Sequence, residues 1–230
     1  MSVSIKCLSK YSWFKIKANN KVIHIDPGYA GYLENQEIPK SELKERADIV
    51  LVTHHHMDHL QEEALSQIQK SDTTILAPEK CQDRIGGNFQ KVKPGDELKI
   101  DGINVKVVNA YNTPEGNSTR KLHHKGDGVG YIFTFNSFTF YHAGDTDFIP
   151  EMNDFPQVDV ALLPMGGVFT MDVDEAIKAA LTINPQTIIP MHQKDADPEQ
   201  FKKKIEQNQD KSESNMNVVI LGMGESFQLE

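Results

Sequence analysis

The apolar positions of this chain come in short runs, and their spacing switches between that of a strand and that of a helix several times. Residues 3–8, 13–17 and 22–26 read as short strands, with Asn19-Asn20 as the turn between the last two. Residues 49–52, inside the run Ala47-Asp48-Ile49-Val50-Leu51-Val52, read as a buried strand because β-branched residues dominate them. Over 60–70, Leu60, Ala64, Leu65 and Ile68 recur at helical spacing. A strand at 73–77 follows, and Pro78-Glu79 opens a short helix.

Further along, 89–92, 97–100 and 103–109 read as a meander punctuated by Pro94-Gly95 and Asp101-Gly102. Residues 129–135 and 138–142 form a hairpin across Asn136-Ser137, and 158–163 is a buried strand. A helix is expected over 172–181, capped by Thr170 or Asp172, with Glu175 in its first turn. A strand at 187–190, a helix at 198–207 and strands at 217–221 and 226–229 close the chain. Both halves share a rhythm of several strands followed by strand–helix units, which points to two sheets with outer helices. No composition shift marks a boundary, so 1–230 reads as a single domain. Polar stretches at 28–45 and 112–128 read as loops, and loops that long tend to be functional.

Hydrophobic content of 38% and charged content of 25% fit a soluble globular protein. No apolar run approaches the ~20 residues that span a bilayer, and Met1 to Lys6 lacks a signal peptide's apolar core. Cys7 and Cys81 are too few and too isolated for a disulfide framework or a zinc pattern, so a reducing cytoplasm is expected. A net charge of −9 argues against a general nucleic-acid-binding surface. The one basic cluster is Arg120, Lys121 and Lys125, around His123 and His124.

The candidate chemistry lies at strand ends. Four imidazoles and a carboxylate crowd into Thr53-His54-His55-His56-Met57-Asp58-His59, directly after the buried strand at 49–52. Side chains two apart on extended backbone point the same way, so His54 and His56 can share one metal ion while His55 faces away. Asp58 and His59 lie where the chain turns and can reach a second ion. Asp145 follows His142-Ala143-Gly144, whose small residues let the backbone turn. His192 follows the apolar run Thr187-Ile188-Ile189-Pro190-Met191. One of His123 and His124 is expected to complete the first ion's shell.

These residues resemble the metallo-β-lactamase superfamily. The likeness rests on Thr53-His54-x-His56-x-Asp58-His59, on His142-Ala143-Gly144-Asp145-Thr146 and on His192, supported by Ile25-Asp26-Pro27 and by Gly166-Gly167-Val168-Phe169-Thr170-Met171 after 159–163. It is similar above all to the branch of predicted Zn-dependent hydrolases and L-ascorbate-6-phosphate-lactonase-like proteins. The resemblance implies an α+β fold, a four-layer αββα sandwich of two mixed β-sheets flanked by helices, with a dinuclear zinc site. It implies His54 and His56 on one ion, Asp58, His59 and His192 on the other, and Asp145 bridging both. Zn2+ is the expected cofactor, with Mn2+ or Fe2+ as alternatives. Relatives carry the first ion's third histidine after the strand corresponding to 105–110, where this chain has Asn112. An amide oxygen is a poorer zinc ligand than imidazole, and His123 is expected to replace it. A histidine or glutamine that several relatives carry near 8–12 is also missing, where this chain has Lys10-Tyr11-Ser12.

The implied activity is metal-dependent hydrolysis of a small anionic ester (a lactone, thioester or phosphodiester) by a zinc-activated hydroxide that Asp58 aims. Two zinc ions with two carboxylates and a hydroxide leave a net positive charge, which attracts anions even in an acidic protein. Asp26, His24, His142 and Thr146 are candidates to orient the imidazoles, although His24 reads equally well as a core residue. Arg120, Lys121 and Lys125 read either as an anion clasp or as a solvated face. The alternatives are a non-catalytic metal- or ligand-binding module, which Asn112 favours, a nuclease-type member, which the net charge disfavours, and a diiron flavoprotein type, which places Glu where His56 stands.

Overall fold

A computed structural model describes residues 2–28, 41–209 and 215–230. Most of the expected loop at 28–45 therefore lies outside the described residues. The chain divides into two compact units, Met1–Lys93 with Leu221–Glu230, and Pro94–Ile220.

The first unit opens with β1 (Val3–Cys7), β2 (Phe14–Ala18) and β3 (Lys21–Ile25), then β4 (Ile49–Leu51), β5 (Thr74–Ala77) and β6 (Gln90–Lys91). Helix α1 (Glu62–Ile68) links β4 to β5, and a 3-10 turn (Glu79–Cys81) and α2 (Gln82–Ile85) link β5 to β6. The second unit holds β7 (Glu97–Ile100), β8 (Ile103–Ala110), β9 (Gly128–Phe135), β10 (Phe138–His142), β11 (Val160–Pro164), β12 (Thr187–Met191) and β13 (Asn217–Val218). Its helices are α3 (Val173–Ile183) and α4 (Pro198–Gln209), and β14 (Ser226–Leu229) returns to the first unit.

Among the described residues each unit carries one mixed seven-stranded sheet. The first runs β14-β1-β2-β3-β4-β5-β6, and the second β13-β12-β11-β10-β9-β8-β7. In the first, pairing is antiparallel from β14 to β3 and parallel from β3 to β6. In the second it is antiparallel from β7 to β10 and parallel from β10 to β13. Central parallel strands are covered on both faces, so β4, β11 and β12 are buried at every position and read as unbroken apolar runs.

The first unit's core packs α1, through Ala64, Leu65 and Ile68, against Trp13, Val50, Val52 and Ile75. In the second unit Ala176, Ile177, Ala179, Ala180 and Ile183 line the buried side of α3, and Asp172 caps it by accepting the Glu175 N–H at 2.9 Å. Asn136 and Ser137 both take positive φ, the twist a two-residue hairpin turn needs. The helix expected over 60–70 is shorter because the N–H groups of His59 and Leu60 turn back to the His56 carbonyl, at 3.0 and 2.8 Å. The strand expected over 217–221 shortens to Asn217–Val218. A 3-10 segment at Pro150–Asp154, with proline at its first position, had no apolar period to announce it.

Candidate metal centre

In the first unit one buried carboxylate organises the histidine loop. Asp26 follows β3 with φ of 50° and is fully buried. Its Oδ1 accepts the Thr53 N–H at 2.7 Å, and its Oδ2 accepts the Thr53 hydroxyl at 2.7 Å. The same Oδ2 lies 2.7 Å from His59 Nδ1, which must donate because an ionised carboxylate only accepts. With its single proton given to Asp26, the Thr53 oxygen accepts from His54 Nδ1, 3.0 Å away. One aspartate thus fixes the tautomers of both His54 and His59, leaving each Nε2 deprotonated and able to ligate. Ser12 Oγ, 2.9 Å from His59 Nδ1, joins this group from the loop between β1 and β2.

The imidazoles are drawn together. Ring centroids of His54 lie 4.7 Å from those of His56 and 3.9 Å from those of His59. Asp58 Oδ2 is 3.8 Å from His59 Nε2, and the Asp58 side chain is 26% exposed. The loop fits because Gly28 lies under it: a Cβ there would stand 2.5 Å from the His59 backbone. His24 proves to be a core residue. Its Nδ1 accepts the Trp13 indole N–H at 2.9 Å, its Nε2 donates to the Glu45 carbonyl at 3.3 Å, and burial pushes its pKa down to about 4.

The second unit gathers its candidates from three separate loops. Asp145, after β10, is reached through Gly144 at φ of 64°, a left-handed turn open to glycine. Its Oδ2 lies 3.5 Å from His123 Nε2 and 3.5 Å from His192 Nε2, with all three residues buried. Asn112 is spent on holding His123. Its Oδ1 accepts the His123 backbone N–H at 2.9 Å and lies 3.2 Å from His123 Nδ1, while its Nδ2 donates to Asp147 Oδ1 and the Phe169 carbonyl. With the Phe169 carbonyl 3.1 Å away as well, His123 Nδ1 meets two acceptor oxygens, so it carries the proton and leaves Nε2 toward Asp145. His124 is exposed.

Asp147 is a positioning residue that sequence reading missed. Buried, it accepts from Asn112, from the Thr113 N–H at 2.9 Å and from Lys121 Nζ at 2.9 Å, and so ties the 112–121 loop to the Asp145 turn. Thr146 stitches the same turn to the residue just after β8 by donating to the Tyr111 carbonyl at 3.1 Å. The signal for Asp147 was an acid two positions past Asp145; for Ser12 there was none.

The family model described as "Beta-lactamase superfamily domain" matches residues 5–192. This chain belongs to the metallo-β-lactamase superfamily. A UPF0173 metal-dependent hydrolase of Pyrococcus abyssi is 34% identical, over 99% of this chain and 100% of the relative. One from Bacillus cereus is 32% identical, over 95% of this chain and 97% of the relative. The solved structure of Igni18, described as a novel metallo hydrolase from Ignicoccus hospitalis, matches with a TM-score of 0.81 at 26% identity, covering 100% of this chain and 99% of that one. Within the metallo-β-lactamase superfamily the chain thus belongs with the UPF0173 metal-dependent hydrolases, and its two mixed sheets with helices are the fold of that superfamily. None of these three names states a substrate.

The donor chemistry of this superfamily member fits a divalent ion. Two ligand atoms about 2.05 Å from a tetrahedral zinc stand about 3.4 Å apart. The 3.5 Å separations around Asp145 match that spacing. Nitrogen and carboxylate donors of this kind suit zinc, iron and manganese in differing degrees.

Proposed function

We propose that this chain is a zinc-dependent hydrolase of a small anionic ester-type substrate, holding two ions through His54, His56, Asp58, His59, His123, Asp145 and His192. The observation that carries the reading is the buried Asp145 carboxylate equidistant from two histidine Nε2 atoms, 3.5 Å from each, in a chain of this family. The histidine tautomers support it, since His54, His59 and His123 each spend Nδ1 on a neighbour and keep Nε2 for a ligand role. Zinc held by these residues would lower the pKa of a water toward ~7 and would polarise the scissile carbonyl or phosphoryl group.

Asp58, the partly exposed acid of the set, would accept a hydrogen bond from the attacking hydroxide and aim it at the ester. Asp26 keeps His54 and His59 in the ligating tautomer throughout. Asn112 and the Phe169 carbonyl do the same for His123. Two free, buried thiols, Cys7 and Cys81, support a reducing compartment. Among the described residues no helix is long and apolar enough to cross a membrane.

A crystal structure with anomalous scattering at the zinc edge, paired with turnover assays on a lactone, a thioester and a phosphodiester, tests the reading. Two ions on the named residues with turnover on one substrate class are expected. Tight zinc without turnover on any class supports a non-catalytic metal-binding module instead, and no retained metal overturns the proposal.

A further inference from the structure

The basic cluster read from the sequence does not act as one group. Lys121 Nζ is consumed by Asp147, the Ser118 hydroxyl and the Gly116 carbonyl, at 2.6 to 2.9 Å. Lys125 pairs with Glu151 at 2.7 Å and sits 4.8 Å from the Tyr111 ring centre. Arg120 is different. Its guanidinium lies 5.7 Å from the centre of the Phe169 ring, and a cation from another loop, Lys194, lies 4.1 Å from the same centre. Both cations are exposed, and among the described residues neither has a carboxylate within ion-pair distance. A ring holds a cation without cancelling its charge, so both charges remain available to a ligand.

We propose that Arg120 and Lys194, carried on Phe169, form an oxyanion-binding rim that selects substrates bearing a carboxylate or phosphate away from the bond being cleaved. This rests on the hydrolase reading above. The rim is joined to the candidate ligands by short covalent and hydrogen-bonded links. The Phe169 carbonyl accepts from His123 Nδ1 at 3.1 Å, and Lys194 follows His192 by two residues. His192 and Lys194 take φ of 50° and 49°, a left-handed backbone that costs energy for both residue types and turns this segment sharply. Arg120 is set by its own backbone, whose N–H donates to the Val168 carbonyl at 2.7 Å while that of Thr119 donates to Gly167 at 3.1 Å. Arg120 supplies the planar fork that engages two oxygens of an oxyanion, and Lys194 adds a point charge.

The test is isothermal titration of the full-length, zinc-loaded protein with inorganic phosphate and, separately, with acetate, alongside zinc content and Tm. The rim requires that R120Q and K194N each weaken binding of at least one oxyanion about two- to fivefold, and more together, with zinc content and Tm held. A loss confined to phosphate assigns the rim to a phosphorylated substrate; a loss confined to acetate assigns it to a carboxylate. If the double variant binds both anions as the unaltered protein does, or the unaltered protein binds neither, the rim is wrong while the hydrolase reading stands. If the protein keeps no zinc and yet anion binding still depends on the two cations, the hydrolase reading falls and takes the rim's role in substrate selection with it, leaving only an anion-binding pair.

Discussion

An aspartate at the head of the central parallel strand is used in the same way by both units. The Asp48 N–H donates to the Val22 carbonyl at 2.8 Å, and its Oδ2 accepts the Val22 N–H at 2.7 Å. Asp159 repeats both bonds with Thr139, at 2.8 and 2.7 Å. The next strand's first N–H closes each set, from Thr74 to the Asp48 carbonyl and from Thr187 to the Asp159 carbonyl. Even the second oxygen is matched, by Lys70 in one unit and Gln186 in the other. Beyond this shared frame the units part. The first keeps its candidate ligands on one loop, braced by a single aspartate, Asp26. The second draws them from three loops, with its aspartate, Asp145, set between two histidines. A brace and a candidate ligand thus occupy comparable places, just beyond β3 and β10, and the difference lies in what each carboxylate touches.

Substituting the two aspartates sharpens that contrast most. Asp145→Asn is expected to cut metal retention and activity by at least a hundredfold, more than the ~10–100-fold that orienting partners cost, while Tm of the metal-free protein barely moves. Asp26→Asn is expected to lower metal-free stability by about 3 kcal/mol, because it breaks a buried, charged hydrogen-bond network. Urea unfolding of chelator-treated protein separates the two, and equal losses in both variants would erase the distinction.

A second contrast lies at matched core positions. With Val22 aligned on Thr139, His24 of β3 corresponds to Tyr141 of β10. The unfolded chain protonates His24 near pH 6.5, whereas burial holds the folded residue to about 4. Between those values the unfolded state binds the extra proton, so stability falls as pH drops through the window, by roughly 3 kcal/mol at pH 4. His24→Gln keeps an acceptor for the Trp13 indole and is expected to flatten the stability curve from pH 6.5 to 4.

The repeated strand clamps come next. Asp48→Ala and Asp159→Ala are each expected to cost about 1–2 kcal/mol, since each leaves a backbone N–H short of its partner. Denaturant midpoints that shift for one and not the other break the equivalence. The smallest effect belongs to Tyr141, whose Oη is buried with no hydrogen-bond partner among the described residues. Tyr141→Phe is expected to raise stability by about 1 kcal/mol, visible as a higher Tm; a fall in Tm means that the hydroxyl is bonded.

The first unit's candidates were legible because four histidines and an acid in six positions after an apolar run form a local pattern. The second unit's were harder to read. His192 and Asp145 each stood alone at a strand end, and nothing in the order of residues chose between Asn112, His123 and His124. The amide of Asn112 explains why: all its bonding capacity goes to His123, Asp147 and Phe169, residues 11 to 57 positions away.

By itself the sequence determined the strand and helix series, the family and the residue types fit for a divalent ion, because these rest on periodicity and short-range spacing. Tertiary structure decided which charges are spent and which remain. Lys121 disappears into Asp147, whereas Arg120 and Lys194 meet over one ring though 74 positions separate them. Partners so far apart in the chain are chosen by folding, since backbone turns and burial set which polar groups come within hydrogen-bond reach.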